Sequence, residues 1–242
     1  MSCATIMSRA VVGVHATAVS VEVHLSAGLP GFTLVGMPAK AVKESKDRVR
    51  SAIMNVGLNF PAKRIVVNLA PADLPKEGGS FDLAIALGIL IASKQLPPDC
   101  MDGFECAGEL SLDGLLRPVR GVLPMAIAIF RDNRQLIVSS SNAEEAYLVE
   151  GLVVAPMPDL LAVCQCLKGL TAWPERASHN VLPNKEFNGT DLSEVREQPQ
   201  AKRVLEIAAA GGHSVLMVGP PGSGKTLLAS CLPGVLINEV IV

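Results

Sequence analysis

At 242 residues the chain exceeds one minimal domain and accommodates one large domain or two small ones. Its 21 Lys and Arg against 23 Asp and Glu give a formal charge of −2, which excludes a global polyanion-binding field but not a local basic patch. Hydrophobic residues at 49% and charged residues at 18% exclude a disordered chain, while six Phe, one Tyr and one Trp argue against single-strand binding on aromatic stacking platforms.

The first sixty residues read as strands followed by a helix. Residues 11–14, 19–25 and 32–35 are β-branched or alternating, with Gly28-Leu29-Pro30-Gly31 as a turn. The apolar stretch after Arg9 imitates an export signal but is too short, and then alternates at Val19, Val21, Val23 and Leu25 as a strand does. Pro38 opens a helix that runs to about Val56 and stops at Gly57, with Val42, Val49, Ile53 and Val56 on one face. Lys40, Lys43, Lys46, Arg48 and Arg50 outnumber Glu44 and Asp47 on it, and a solvated outer face is the reading preferred to a nucleic-acid contact.

Residues 65–69 form a short buried strand, and residues 70–79 a loop. Ser80 starts a helix, residues 81–92, that is apolar nearly all round and therefore central to its domain. Residues 104–112 and 115–119 flank Asp113-Gly114, a strong hairpin signal. A helix (122–130), a strand (136–138), a short acidic helix (143–148), a strand (152–155) and a helix (158–167) complete an α/β or α+β domain over residues 1–170. Residues 171–190 are turn-rich, lack periodicity and read as a linker. A third segment, residues 191–242, brings a helix (200–210) ended by Gly211-Gly212, a strand (214–218), a glycine-rich loop and a helix (227–231).

Six scattered cysteines have no zinc-type spacing, and Cys164 and Cys166 lie in an apolar run as buried thiols. This pattern favours a reducing compartment, and the expected location is cytoplasmic. No membrane span is expected, because the uncharged run 83–93 is only 11 residues long and the run 207–224 is broken by Gly and Pro.

One motif carries specific chemistry. Gly219, Pro220, Pro221, Gly222, Ser223, Gly224, Lys225 and Thr226 match G-x-x-x-x-G-K-[ST] in full, between an expected strand and an expected helix. Glycines let successive backbone N–H groups curl around phosphates, and the helix N-terminus adds partial positive charge. Lys225 is expected to reach the β- and γ-phosphates of a nucleotide and Thr226 to ligate Mg²⁺, making ATP and Mg²⁺ the expected cofactors.

Asp191-Leu192-Ser193-Glu194-Val195, Gln198, Ala201-Lys202-Arg203, the run from Leu205 to His213 and the glycine-rich loop together resemble the magnesium-chelatase-like AAA+ ATPases of the ComM/YifB family. Val21-Glu22-Val23, Gly28-Leu29-Pro30, Gly36-Met37-Pro38 and Glu44-Ser45 are similar to that family's leading domain, so the resemblance covers nearly the whole chain. It implies a Lon-protease-like (ribosomal S5 domain 2-like) α+β domain, then a linker, then the first part of a P-loop AAA+ domain. It also implies a homo-hexameric, ATP-driven motor that remodels DNA, with branch migration during natural transformation. Glu197 departs from the pattern, standing where the family usually has Gly.

Residues 75–80 resemble the Lon-type loop that carries a catalytic serine, with Ser80 at the nucleophile position. A Ser–Lys dyad needs an amine to take the hydroxyl proton, and Leu123 occupies the position that the resemblance assigns to the lysine. Lys76 lies on the loop rather than on the required helix. The expectation is that Ser80 caps the buried helix, with Asp82 in the first turn, and that no catalytic residue is present. After Thr226 the chain has no room for the acidic strand end, sensor or arginine finger of an ATPase. Residues 237–242 lose the family likeness, so a truncated, frameshifted or partial gene product is expected. Three readings stand: a portion of an ATP-driven DNA-remodelling motor, a Lon-like peptidase disfavoured by Leu123, and a non-catalytic scaffold with an inert phosphate loop.

Overall fold

The computed structural model describes residues 2–37, 39, 42, 44–76, 78–174 and 190–235. Pro38, Lys40 and Lys43, at the expected start of the first helix, lie outside the described residues, as does most of the expected linker. The chain divides into two compact units, Met1–Ala177 and Ser178–Val242.

The first unit is mixed α/β. Strand β1 (Ser2–Val12) pairs antiparallel with β2 (His15–Ser26) across the turn Gly13-Val14. Residues 11–14, expected as a strand, therefore straddle the end of β1 and this turn; small residues such as Ala4, Ser8 and Ala10 hide the inward face of β1 from a hydrophobicity reading. In β2 the alternation holds, with Val19, Val21, Val23 and Leu25 buried. Strand β3 (Gly31–Val35) runs parallel to β4 (Arg64–Ala70), which is antiparallel to β2, so the sheet order is β1-β2-β4-β3.

Helix α1 (Ser45–Asn55) buries Val49, Ala52 and Ile53, and α2 (Asp82–Ala92) is buried at every position. Helix α2 packs on β1 and β2 through Gly88, where a Cβ would lie 2.5 Å from Val23 Cγ2. Every large side chain that it buries stabilises the unit by about 1.5–3 kcal/mol relative to exposure, which makes it the centre of the core.

The expected long hairpin is broken. Strand β5 (Phe104–Ala107) joins β8 (Gln135–Ser139) and β9 (Val154–Met157) in a parallel sheet of order β5-β8-β9, while β6 (Glu109–Leu110) and β7 (Leu116–Arg117) form a separate short ladder. The break falls at Gly108, whose N–H donates to the Ser80 carbonyl at 3.0 Å and whose carbonyl accepts from Leu83 N–H at 3.1 Å. Its missing side chain also matters, since a Cβ would lie 2.6 Å from Leu116 Cδ2. Helices α3 (Val122–Arg131), α4 (Ala143–Tyr147) and α5 (Leu160–Leu167) alternate with these strands; Asp159 caps α5 by accepting from Ala162 N–H at 2.7 Å. Arg9 of β1, buried, meets Glu105 of β5 through two hydrogen bonds of 2.7 and 2.8 Å, with Asp132 and Arg134 completing the network. Paired in this way, the Glu105 charge is tolerated at 1% exposure.

The second unit is small. Asp191 and Glu194 form a reciprocal capping box on a 3₁₀ turn (Leu192–Glu194), and the bonds from Ser193 hold the Asp191 carboxyl below the usual carboxylate range. Helices α6 (Pro199–Gly211) and α7 (Lys225–Val235) meet over Val195, Leu205, Leu228 and Cys231. Residues 214–218, expected as a strand, form no ladder among the described residues. Their alternation survives, with Leu216 and Val218 each 88% exposed and Val215 and Met217 packed on the core. A strand requires a partner, and none of the described residues supplies one.

Candidate functional site

The glycine-rich loop connects the unpaired segment to α7. Gly222 and Gly224 have φ of +79° and +80°, conformations open to glycine at little cost, and they turn the loop back on itself. Lys225 is the first residue of α7, whose opening turn is closed by Leu228 N–H on the Gly224 carbonyl at 2.9 Å. The Lys225 ammonium lies within the loop. It donates to the carbonyls of Gly219 at 2.8 Å and Pro220 at 2.7 Å and to Ser223 Oγ at 3.2 Å.

The lysine therefore draws Gly219, Pro220 and Ser223 together. Pro221, Gly222 and Thr226 are exposed, the last in the first turn of α7. A cavity of about 390 Å³ opens beside the loop, lined by Gln198, Leu205, Met217, Gly219 and Lys225 among others. The N–H groups at a helix start, which lack intrahelical acceptors, and a lysine held only by neutral oxygens form a donor set suited to an anion with several oxygens.

One contact of the site is absent from the motif. Gln198 Nε2 donates to the Ser223 carbonyl at 3.3 Å, tying the start of α6 to the loop. A Cβ on Gly224 would lie 3.1 Å from the same nitrogen, so the third glycine leaves room for this tie. The residues are 25 apart in sequence, and spacing alone cannot reveal the contact. Glu197 and Gln198 have φ of +58° and +57°, in the left-handed region. The position at which a glycine was expected thus has a glycine-like backbone.

The protease-like loop is arranged differently from the expectation. Helix α2 begins at Asp82, its N-cap position is Phe81, and no side chain caps it. Ser80 acts instead through its carbonyl, which accepts from Gly108 N–H. The Asp82 carboxylate turns to Arg48 Nε at 2.7 Å and Leu110 N–H at 3.3 Å, a pairing from outside the helix that decides how its first turn is held. Lys76 is fully buried, donating to the carbonyls of Gly36 at 3.0 Å and of Pro71; burial pushes its ammonium below the usual lysine range, with Asp73 opposing. Leu123 lies in the first turn of α3, its N–H on Glu145 Oε1 at 2.8 Å. Among the described residues no group of three or more His, Cys, Asp or Glu could hold a metal, and no helix is long and apolar enough to cross a membrane.

A family model described as subunit ChlI of Mg-chelatase matches residues 21–142, and a second, magnesium chelatase subunit ChlI, matches residues 191–240. Competence protein ComM of Haemophilus influenzae is 52% identical over 239 residues, covering 98% of this chain and 47% of that protein. The uncharacterized protein YifB of Escherichia coli is 48% identical over 236 residues, covering 98% of this chain and 46% of its own length. Lon protease 2 of Bacillus subtilis is 27% identical over 114 residues, 46% of this chain and 20% of that protein. The chain spans about half the length of ComM and YifB.

Proposed function

This chain belongs to the magnesium-chelatase-like ComM/YifB family, and from that premise we propose that residues 219–226 hold the phosphates of ATP as part of an AAA+ ATPase. The observation that carries the reading is the Lys225 ammonium, gathered into its own loop by three neutral oxygens at 2.7–3.2 Å. Phosphate oxygens would replace those neutral partners with charged ones, forming shorter and stronger bonds. In this reading the loop N–H groups and Lys225 hold the phosphates, and the exposed Thr226 hydroxyl is available to Mg²⁺. When bound, the metal neutralises charge on the transferring phosphate.

The name of the competence protein supports a role in competence, and within that role the resemblance described above implies ATP-driven remodelling of DNA in a homo-hexameric ring, with branch migration as the reaction. The likeness to Lon protease 2 supports a Lon-protease-like fold for the leading domain, which we propose spans residues 1–170, followed by a linker over 171–190 and, with the support of the second family model, AAA+ sequence over 191–242. Leu123 in place of a basic lysine argues that this domain is not a peptidase.

The test is Lys225→Ala in a full-length relative. ATP turnover is expected to disappear and ATP–Mg²⁺ binding to weaken; unchanged turnover would overturn the assignment. A second reading, a scaffold with an inert phosphate loop, draws on the unpaired segment before the loop. Titration of the 242-residue chain with a fluorescent ATP analogue separates the two, since tight stoichiometric binding excludes an inert loop.

A further inference from the structure

The cations of α1 divide between two surroundings. Arg48 turns inward to Asp82, whereas Lys46 and Arg50, one turn apart, face a groove of about 680 Å³ between α1, the start of β3 and the loop leading into β4. Lys63 stands on the loop, and among the described residues no carboxylate lines the groove. None of these three cations has a carboxylate partner among the described residues. The floor is apolar, with Phe32, Phe60 and Met54, and the Arg50 guanidinium lies over the Phe60 ring at 5.4 Å from its centroid.

This wall is also built in advance. Gln95, just beyond α2, accepts from Asn59 N–H at 2.9 Å and donates to its carbonyl at 2.7 Å, and Gly31 N–H donates to the Lys63 carbonyl at 3.3 Å. Little loop ordering therefore has to be supplied by a ligand.

We propose that this groove binds single-stranded nucleic acid, with Lys46, Arg50 and Lys63 on its phosphates and the Arg50–Phe60 stack and Phe32 against its bases. Cations along the walls with flat, sequence-tolerant faces beneath match what a single strand offers. An acidic peptide would use the cations and leave the apolar floor uncovered, and a duplex keeps its base faces stacked inside itself. Two of the six phenylalanines converge here, so stacking is concentrated in one place despite the scarcity of aromatics in the chain. The proposal adds a surface to the DNA reading above and rests on the groove's own chemistry.

The experiment is fluorescence anisotropy of a fluorescein-labelled oligothymidylate with the 242-residue chain over a salt series. Lys46→Ala, Arg50→Ala and Lys63→Ala combined are expected to weaken binding at least tenfold and to lower the slope of log K against log salt by about 2, each lost phosphate contact removing about 0.7. Arg50→Lys, which keeps the charge and loses the flat guanidinium, is expected to weaken binding several-fold with the slope unchanged. Arg131→Ala with Lys168→Ala, exposed cations outside the groove, is expected to change neither. Four results would each overturn the proposal: no binding at low salt, parental binding by the triple variant, tighter binding of a duplex, or equal competition by polyglutamate. ATP turnover enters none of these readouts, so failure here leaves the Lys225 assignment standing.

Discussion

Glu197 has a backbone φ of +58°, where a Cβ costs roughly 1–2 kcal/mol that glycine avoids. Its exposure leaves the side chain without burial to offset that strain. Glu197→Gly is therefore expected to stabilise the second unit by about 0.5–1 kcal/mol after the added entropy of the unfolded glycine is subtracted. Slower hydrogen exchange in α6 would register the gain; faster exchange would contradict it. Ser80 follows the opposite logic. With no side-chain cap on α2, Ser80→Ala is expected to change stability by less than about 0.5 kcal/mol, against the roughly 1 kcal/mol that a capping serine would cost. A urea unfolding curve decides between them. The same variant bears on the chemistry: a serine-reactive fluorophosphonate is expected to leave Ser80 unlabelled in the parent chain.

At the scale of elements, α5 turns two thiols, Cys164 and Cys166, into the core, and burial pushes the Cys164 thiol up to about 12. The unfolded thiol ionises near pH 8.5, so between about pH 8.5 and 12 the unfolded chain loses a proton that the folded chain keeps. This contribution to stability is complete below that window and is lost as pH rises through it. Lys76 has the reverse sign, because its depressed ammonium releases a proton in the folded state first. Comparing the parent with Cys164→Ala cancels the lysine: the parent's urea midpoint is expected to fall more steeply above about pH 9. Equal slopes would show that the thiol does not report on α5. The segment 213–220 makes a different point about elements. Val215 and Met217 pack on the core while Leu216 and Val218 face outward, and with no ladder partner among the described residues the loop that follows is held by this packing, by α7 and by the Gln198 tie.

For the molecule as a whole, the two units differ in how much they can bury. The first has a core built around α2 and closed by two sheets; among the described residues the second buries only Val195, Leu205, Ala208, Leu228 and Cys231 as apolar side chains. A unit of the second kind opens at little cost, and a loose backbone cannot keep a phosphate cradle preorganised. Limited proteolysis of the 242-residue chain is expected to cut first near the boundary at Ala177, to leave the first unit intact and to be little slowed by ATP–Mg²⁺. Strong protection of the second unit by nucleotide would mean that the loop is a competent site without a flanking sheet.

The glycine-rich motif of residues 219–226 was legible in the sequence because its defining residues are contiguous and Gly222 and Gly224 meet local backbone demands. The same holds for α2, apolar along its length, and for Asp113-Gly114, where Gly114 takes φ +92° and a Cβ would lie 2.4 Å from Val56 Cγ1. What only the tertiary structure decided depends on residues distant in the chain. Gly108 ends β5 because Ser80 and Leu83 claim its backbone groups, so one expected strand becomes two. Asp82 holds Arg48, 34 residues away, which removes one cation from the basic helix and leaves Lys46 and Arg50 to the groove. Residues 214–218 have the alternation of a strand, but alternation records only which side chains face apolar surroundings. A ladder also needs backbone partners from another segment, and local sequence cannot specify those.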